Sequence, residues 1–424
     1  MNMKKFIAVL MILAMLFSVS TCFADEIKLD TAWWGSQVRH DTTMELLKQY
    51  EEEHPGIVFD AQPMGFDEYF PKLNTLVAAQ DVYDVFQMGN NFLTYQSVLY
   101  PLNEYIESGV INMDNANELF LKSGTLGGQC LGIPMGVNTL CLVYDPAMFE
   151  AAGVPEPTTN WTWDEYMAAS RTIHEKLGVY NCCTQNPFWT GLACYVQQHG
   201  VDVTAFTDAG DALGYDDDSY LADFFAMNQT LINEGVQPSP AELTDVSGLE
   251  SYFIVSGKAA MAWCNSNEVV TLVEAAGREL KMAVPPRLTA DGLSGMFVKP
   301  THHISISTNC IDKDACAEFI NWILNNEEAN LKINGERGTS IMSNIRELMG
   351  ANLTGASKMA MDYINTVSEI ASHGMPREPI GQIEIETELT NLFEAVGMNE
   401  ITPEEAAAEF RTVANEIFDR TVTK

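Results

Sequence analysis

The stretch from Glu26 to Met64, "EIKLDTAWWGSQVRHDTTMELLKQYEEEHPGIVFDAQPM", reads as strand, helix, strand. "EIKLDTAWW" is a short, partly apolar run. "HDTTMELLKQYEEEHPG" carries helical spacing until Pro55-Gly56 stops it, and "IVFDAQPM" is a second strand. Neighbouring residues on a strand point to opposite faces, so Trp33 and Trp34 cannot fill the same space. One belongs in a core, and the other faces something else.

The pattern repeats outward from there. "DEYFPKLNTLVAAQ" is a second helix, and "YDVFQMG" a third strand ending in Gly89-Asn90-Asn91. Three strand-and-helix units predict an α/β protein with a parallel sheet, whose ligands bind beyond the carboxyl ends of the strands. Those ends are Trp34-Gly35, Met64-Gly65 and Met88 to Asn91, each polar or glycine-rich. "GQCLGIPMGVNTLCLVYDPAMFEAAG" gives a strand pair around Pro134 and Tyr144, where the chain leaves its first lobe. In "TTNWTWDEYMAASRTIHEKLG", Thr162 with Glu165 three residues on forms a capping box. A second α/β region runs to about Pro286, and Pro285-Pro286 with "ADGLSGMF" marks a boundary. "HHISISTN" then reads as a strand, "KDACAEFINWILNNEEANLKIN" as a helix, "GERGTSIMSN" as a turn-rich crossing, and Met359 to Arg420 as helices.

The first 24 residues have the three parts of a secretory signal: Lys4-Lys5, an apolar stretch Phe6 to Phe17, and an end at Cys22-Phe23-Ala24. Cleavage after Ala24 is favoured over lipid attachment at Cys22, because Thr21 is unusual before a lipidated cysteine and strand-like sequence begins by Ile27. No later segment approaches about 18 uninterrupted apolar residues, so the expectation is a soluble monomer outside the cytoplasm. Removing Lys4 and Lys5 takes the formal charge from −35 to −37. That argues strongly against nucleic acid and anionic lipid as partners, and a solvated acidic surface explains it better than a cation site. Eight cysteines remain, at 130, 141, 182, 183, 194, 264, 310 and 316. Scattered and without a CxxC pair, they read as buried small hydrophobes in preference to a disulfide between Cys194 and Cys182 or Cys183.

The chain contains no GxSxG elbow, HExxH pair, P-loop or GxGxxG. His302-His303 cannot aim both imidazoles at one metal from a single strand face, so no metal and no cofactor is expected. The run Asp216-Asp217-Asp218 reads as a helix cap or solvated turn. Glycoside hydrolysis requires two carboxylates at a set separation across a cleft, which a run of adjacent residues does not by itself display. An extracytoplasmic glycan hydrolase or lyase is therefore the lesser alternative to a non-enzymatic binding protein. A binder of a non-sugar solute such as a polyamine would need a carboxylate-lined pocket.

In order and spacing, "WWGSQVRHDTTMELLKQYEEEHPGI", "YDVFQMG" with "PLNEYI", "GIPMGVNTLCLVYDPAMFEAAGVPEP" with "WTWDEY", "SGKAAMAWCNSNEV" and "FINWILNNEEANLKINGERG" resemble one family. It is the extracytoplasmic solute-binding proteins of carbohydrate ABC transporters, the large family that includes the maltose-binding type. The resemblance implies a two-lobed, periplasmic-binding-protein-like fold of type II, with discontinuous domains and a ligand cleft between them. One lobe would take residues 25–140 plus about 300–345, and the other 141–299 plus about 346–424. It also implies a carbohydrate ligand and, as partners, the membrane permease subunits of an ABC importer.

A pyranose offers C–H-rich faces and a hydroxyl rim, so its site needs flat aromatic surfaces and planar polar groups. The residues that the resemblance assigns to such a site are Trp33, Trp34, Gln37 and Arg39, then Gln87, Asn90 and Asn91, then Asn138. The second lobe would add Phe188 and Trp189, Trp263, Asn265 and Asn267. Arg337 is read equally as a fork onto sugar hydroxyls or a holder of the hinge, and Trp161, Trp163 and Trp322 as structural. At Asn91 and Asn138 amides stand where some relatives place carboxylates. An amide both donates and accepts, which makes an acidic sugar less unfavourable.

Overall fold

In the first strand Leu29, Thr31 and Trp33 are buried on one face and Ala32 on the other, the signature of a strand covered on both sides. The computed structural model describes residues 26–422 apart from 183–187, 202–205, 208, 247, 352, 372–374 and 376–377; the side chains of Phe188, Trp189 and Val422 also lie outside the described part. The leader expected over 1–24 is outside it too. In chain order the strands are β1 (Ile27–Trp34), β2 (Ile57–Met64), β3 (Val85–Met88), β4 (Thr125–Leu126), β5 (Gln129–Cys130), β6 (Ile133–Asn138), β7 (Leu140–Tyr144), β8 (Tyr180–Cys182), β9 (Ala259–Asn265), β10 (Lys281–Ala283) and β11 (Lys299–Ile306).

They build two large sheets, and β4 and β5 pair as a separate antiparallel ribbon. The first has the order β2-β1-β3-β11-β6, with β1 parallel to β2 and β3. Helices Gln37–Glu53 and Phe66–Ala79 make the crossovers, and the first is capped by Ser36, whose hydroxyl accepts from the Arg39 N–H at 3.4 Å. The parallel sheet expected from the opening units is thus extended by β11, which runs antiparallel to both β3 and β6. It follows that the carboxyl ends of β1, β2, β3 and β6 share one edge with the start of β11. The second sheet has the order β10-β7-β9-β8.

The strand pair read around Pro134 and Tyr144 divides between the sheets, because β7 begins where Asn138-Thr139-Leu140 crosses from one to the other. Leu140 pairs with Asn265, which sets the end of β9 against that crossing. The edges of the two sheets therefore face each other.

Each sheet has its own core. Around the first pack Leu29, Trp33, Leu46, Tyr50, Ile306 and Ile320. Around the second, Cys141, Val143, Ala262, Cys264 and Leu272 form one cluster, and a helical cluster adds Leu221, Phe225, Leu389 and Phe410. Helix Gly355–Ile370 serves both lobes, with Met361 and Ile364 in the first core and Tyr363 and Val367 in the second. Ile345 and Met349 also lie in the first core. The helix read from Lys313 onward is two helices, Lys313–Asn325 and Glu327–Ile333. It breaks at Asn326, which turns extended so that its side chain accepts from the Ala329 N–H at 2.9 Å. No helix among the described residues is long and apolar enough to cross a membrane.

Candidate functional site

The facing edges bring together residues far apart in sequence. On the first edge the two indoles separate as the strand period demands. Trp33 is 3% exposed in the core, which corrects its place among the ligand candidates, because it has no face left for a cleft. Trp34 is half-buried in an aromatic nest of Phe66, Tyr69 and Phe70, with ring centroids 4.9 to 5.8 Å away.

Beneath Trp34 lies a buried polar framework. The Trp34 carbonyl accepts from Arg39 Nη1 at 3.1 Å and from Gln87 Nε2 at 3.4 Å. Arg39 Nε donates to both carboxylate oxygens of Glu336 at 2.9 Å. Arg337, 6% exposed, donates to Gln87 Oε1 at 3.2 Å, His302 Nε2 at 3.1 Å and Thr43 Oγ1 at 2.5 Å. Three residues assigned to the ligand, Arg39, Gln87 and Arg337, are therefore engaged by protein, and they hold the end of β1 in place. The Arg337 guanidinium is enclosed by these protein groups, and its carbonyl accepts from Thr301 Oγ1 at 2.6 Å.

The same burial decides the protonation of this framework. Burial first, and then the adjacent Arg337, keeps His302 well below the usual histidine range. Burial also pushes His303 down to about 3, and its Nε2 lies 3.0 Å from Ser123 Oγ. Arg337 is lowered to about 10 by burial, with the positive charge of Arg39 acting in the same direction. At neutral pH this leaves two neutral imidazoles, of which His302 rests against the buried Arg337 cation. The two imidazoles thus find separate partners, and no group of three or more His, Cys, Asp or Glu among the described residues could hold a metal ion.

Amides occupy the rest of the edge. Asn90 and Asn91 follow β3, and Asn138 ends β6 opposite Lys299. Their Oδ1 atoms are buried and have no hydrogen-bond partner among the described residues. The same holds for Asn265 Oδ1 at the end of β9 on the opposing edge, where Glu268 takes the Asn265 backbone N–H at 2.7 Å. A buried amide oxygen without a donor is costly, so four of them along facing edges form a surface that calls for hydroxyl or N–H donors.

Two residues from Asn265 and on the same strand face, Trp263 is half-buried. It stacks on Trp163 with centroids 6.1 Å apart and an interplanar angle of 28°, and packs on Tyr166. Trp163, read as structural, thus adds to this aromatic surface, and its indole N–H donates to Gln198 Oε1 at 3.0 Å. Trp161 and Trp322 are tied by their indole N–H groups to the Val284 carbonyl and to Glu53 Oε2, both at 2.8 Å. Gln37 and Asn267 are exposed, the former donating to Asp41 Oδ1 at 2.8 Å within its own helix. The Phe188 and Trp189 side chains lie outside the described residues.

The edges touch at one flank. Asn90 Nδ2 donates to Glu378 Oε1 at 3.2 Å, and a Cβ placed on Gly210 would come within 2.5 Å of Leu93 Cδ1. Burial raises the Glu386 carboxyl above its usual range, the charge of nearby Glu378 adds to this, and Lys299 opposes it. Glu378 and Lys299 were not legible as site residues, since only the fold brings them beside Asn90 and Asn138. Of the run Asp216-Asp217-Asp218, Asp217 accepts from the Ser219 N–H at 2.9 Å and Asp218 pairs with Arg411 at 2.5 Å, so it starts a helix.

Comparison with known proteins adds four findings. Residues 35–330 match the family described as bacterial extracellular solute-binding protein. A binding protein of Brucella abortus is 27% identical over 164 residues, a match that covers 38% of this chain and 39% of that relative's length. Among solved structures, a family 1 extracellular solute-binding protein from Alicyclobacillus acidocaldarius aligns with a TM-score of 0.81 at 25% identity, covering 93% of this chain and 99% of the other. An oligogalacturonide-binding protein of Yersinia enterocolitica aligns with the same score and coverage at 22% identity, a likeness of fold.

Proposed function

The chain belongs to the bacterial extracellular solute-binding protein family, and on that premise we propose that it binds a mono- or oligosaccharide between its lobes and delivers it to the permease of an ABC importer. The observation that carries the reading is the pairing of two half-buried indoles, Trp34 and Trp263, with four unpartnered amide oxygens on facing sheet edges. Indole faces suit the C–H-rich sides of a pyranose, and amide oxygens accept from its hydroxyls. Contacts from both lobes make binding favour the closed arrangement by the difference in affinity between closed and open forms. The protein works outside the cytoplasm, exported behind the leader that ends at Ala24, and leaves its ligand chemically unchanged.

A neutral sugar fits better than an acidic one, although the Yersinia protein is named for an acidic glycan. Arg39 is bound to Glu336, Arg337 is enclosed, and Lys299 lies within electrostatic reach of Glu386. A thermal-shift panel of neutral and uronic mono- and oligosaccharides tests this. A neutral sugar should raise the melting temperature, and no new reducing ends should form on incubation. Covering about 60 Å² of sugar face contributes about 1.5 kcal/mol, so W34A or W263A should each weaken affinity about tenfold. Unchanged affinity in both variants, or release of reducing ends, refutes the reading.

A further inference from the structure

All seven described cysteines are buried thiols, and four of them meet in pairs. Cys141 and Cys264 are direct partners across the antiparallel strands β7 and β9. Their sulfurs are 3.4 Å apart, and both residues are fully buried. Directly opposed residues of an antiparallel pair have Cα atoms about 4.5 or 5.5 Å apart, and both values fall within the span a disulfide bridges. Cys310 and Cys316 have sulfurs 3.5 Å apart. Here the turn before helix Lys313–Asn325 folds back, held by the Ile311 N–H donating to Asp84 Oδ1 and Lys313 Nζ donating to the Cys310 carbonyl, both at 3.0 Å. In each pair the two sulfurs need to close by only about 1.4 Å, about 0.7 Å each, to reach bonding distance. The remaining described cysteines are placed differently: Cys130 Sγ points at the Gly132 carbonyl, and Cys182 and Cys194 are buried in separate clusters. Cys183 lies outside the described residues.

We propose that Cys141–Cys264 and Cys310–Cys316 are two disulfide sites of this protein, closed as the chain folds in an oxidising compartment. In each, two S–H groups exchange with a disulfide-bearing oxidant. One S–S bond forms in the protein, the oxidant's S–S bond breaks, and the oxidant takes up both protons and both electrons to leave as two thiols. Timing follows from chemistry. Exchange requires a thiolate, and burial raises the Cys264 thiol well above its usual range, as its contact with Cys310 and burial do for Cys316. Oxidation therefore precedes burial, and the folded dithiol is inert.

The first bond would lock β7 to β9 in register directly behind Trp263 and Asn265, closing a loop of more than a hundred residues. The second would fix the start of a helix to the turn that follows β11. The full mature chain is refolded in a glutathione redox buffer, blocked with iodoacetamide in denaturant, digested and mapped by mass spectrometry without reduction. The expected result is peptides joining 141 to 264 and 310 to 316, with Cys130 alkylated. The chain refolded under a reductant should melt about 5 °C lower than the oxidised one, and in C141A/C264A that difference should shrink to what the 310–316 pair contributes. The reduced folded chain should resist the same buffer. Alkylation of all four cysteines after oxidative refolding, or linkage in any other pattern, overturns the proposal; this map needs no variant to fold and no ligand to bind.

Discussion

Replacing His303 by glutamine isolates one buried proton site. The imidazole is fully buried on β11, with Nε2 3.0 Å from Ser123 Oγ, and glutamine presents a polar atom in much the same place. An unfolded histidine titrates near about 6.5, whereas burial holds His303 at about 3 in the fold. Below about pH 6.5 the unfolded chain therefore binds a proton that the native chain does not. Native stability is complete above that pH and is lost progressively as pH falls toward 3. At about pH 5 the unfolded state lies about 1.5 pH units below its titration point, which corresponds to about 2 kcal/mol. Wild type should lose that amount between about pH 8 and pH 5 from this group alone, and H303Q should not. Carboxylates and His302 titrate in both proteins, so their effects cancel when the variant is subtracted from wild type at each pH. Urea unfolding at the two pH values measures the difference. A gap between wild type and H303Q that is the same at both would refute the claim that His303 is held neutral by burial.

Three further outcomes follow from named contacts. R39K keeps the charge but loses the fork onto both Glu336 oxygens and the Trp34 carbonyl; the pair is mostly buried, at 15% and 24% exposure, so a loss of about 1 kcal/mol in urea unfolding is expected. T162A removes the hydroxyl that accepts from the Glu165 N–H at 3.3 Å and should cost about 1 kcal/mol, with T162S restoring most of it. E378A deletes the acceptor of the Asn90 amide across the lobes, whereas E378Q retains a carbonyl oxygen there. Ligand affinity in a thermal-shift titration should therefore fall about three- to tenfold in the first and change little in the second.

The fold was legible where local periodicity and turn chemistry agree. β1, helix Gln37–Glu53 and β2 fall within the stretch that opens the chain, and Thr162 caps its helix with Glu165 as the spacing required. What local pattern could not show was partnership. "GIPMGVNTLCLVYD" gives two strands, but nothing in it says that Thr139 separates two sheets. Nor does Arg337 in "GERG" reveal that Gln87, His302 and Thr43 surround it, since those contacts span 35 to 294 residues. The two adjacent tryptophans show the same division. Strand geometry guaranteed that they would part company, yet only the helix Phe66–Ala79, with its Tyr69 and Phe70 against Trp34, decides which is which.

The crossing itself limits where the lobes can move. Thr139 is fully buried, its Oγ1 donates to the Phe297 carbonyl at 2.7 Å, and its N–H donates to Ser266 Oγ at 3.1 Å. The Ser266 N–H returns a bond to the Thr139 carbonyl at 2.8 Å, and the Tyr363 hydroxyl donates to the Leu140 carbonyl at 2.8 Å. Opening the lobes by rotation at Thr139 would break several buried bonds at once, each leaving a group whose burial costs about 1–3 kcal/mol. Rotation is easier where fewer such bonds bind the chain, so these four travel with the second lobe and the bending is taken up on the first-lobe side, toward Asn138 and Lys299. Hydrogen exchange distinguishes the two. With and without a bound sugar the Thr139 and Ser266 amides should stay equally protected, and ligand-dependent loss of protection at either would place the pivot at Thr139 and refute this assignment.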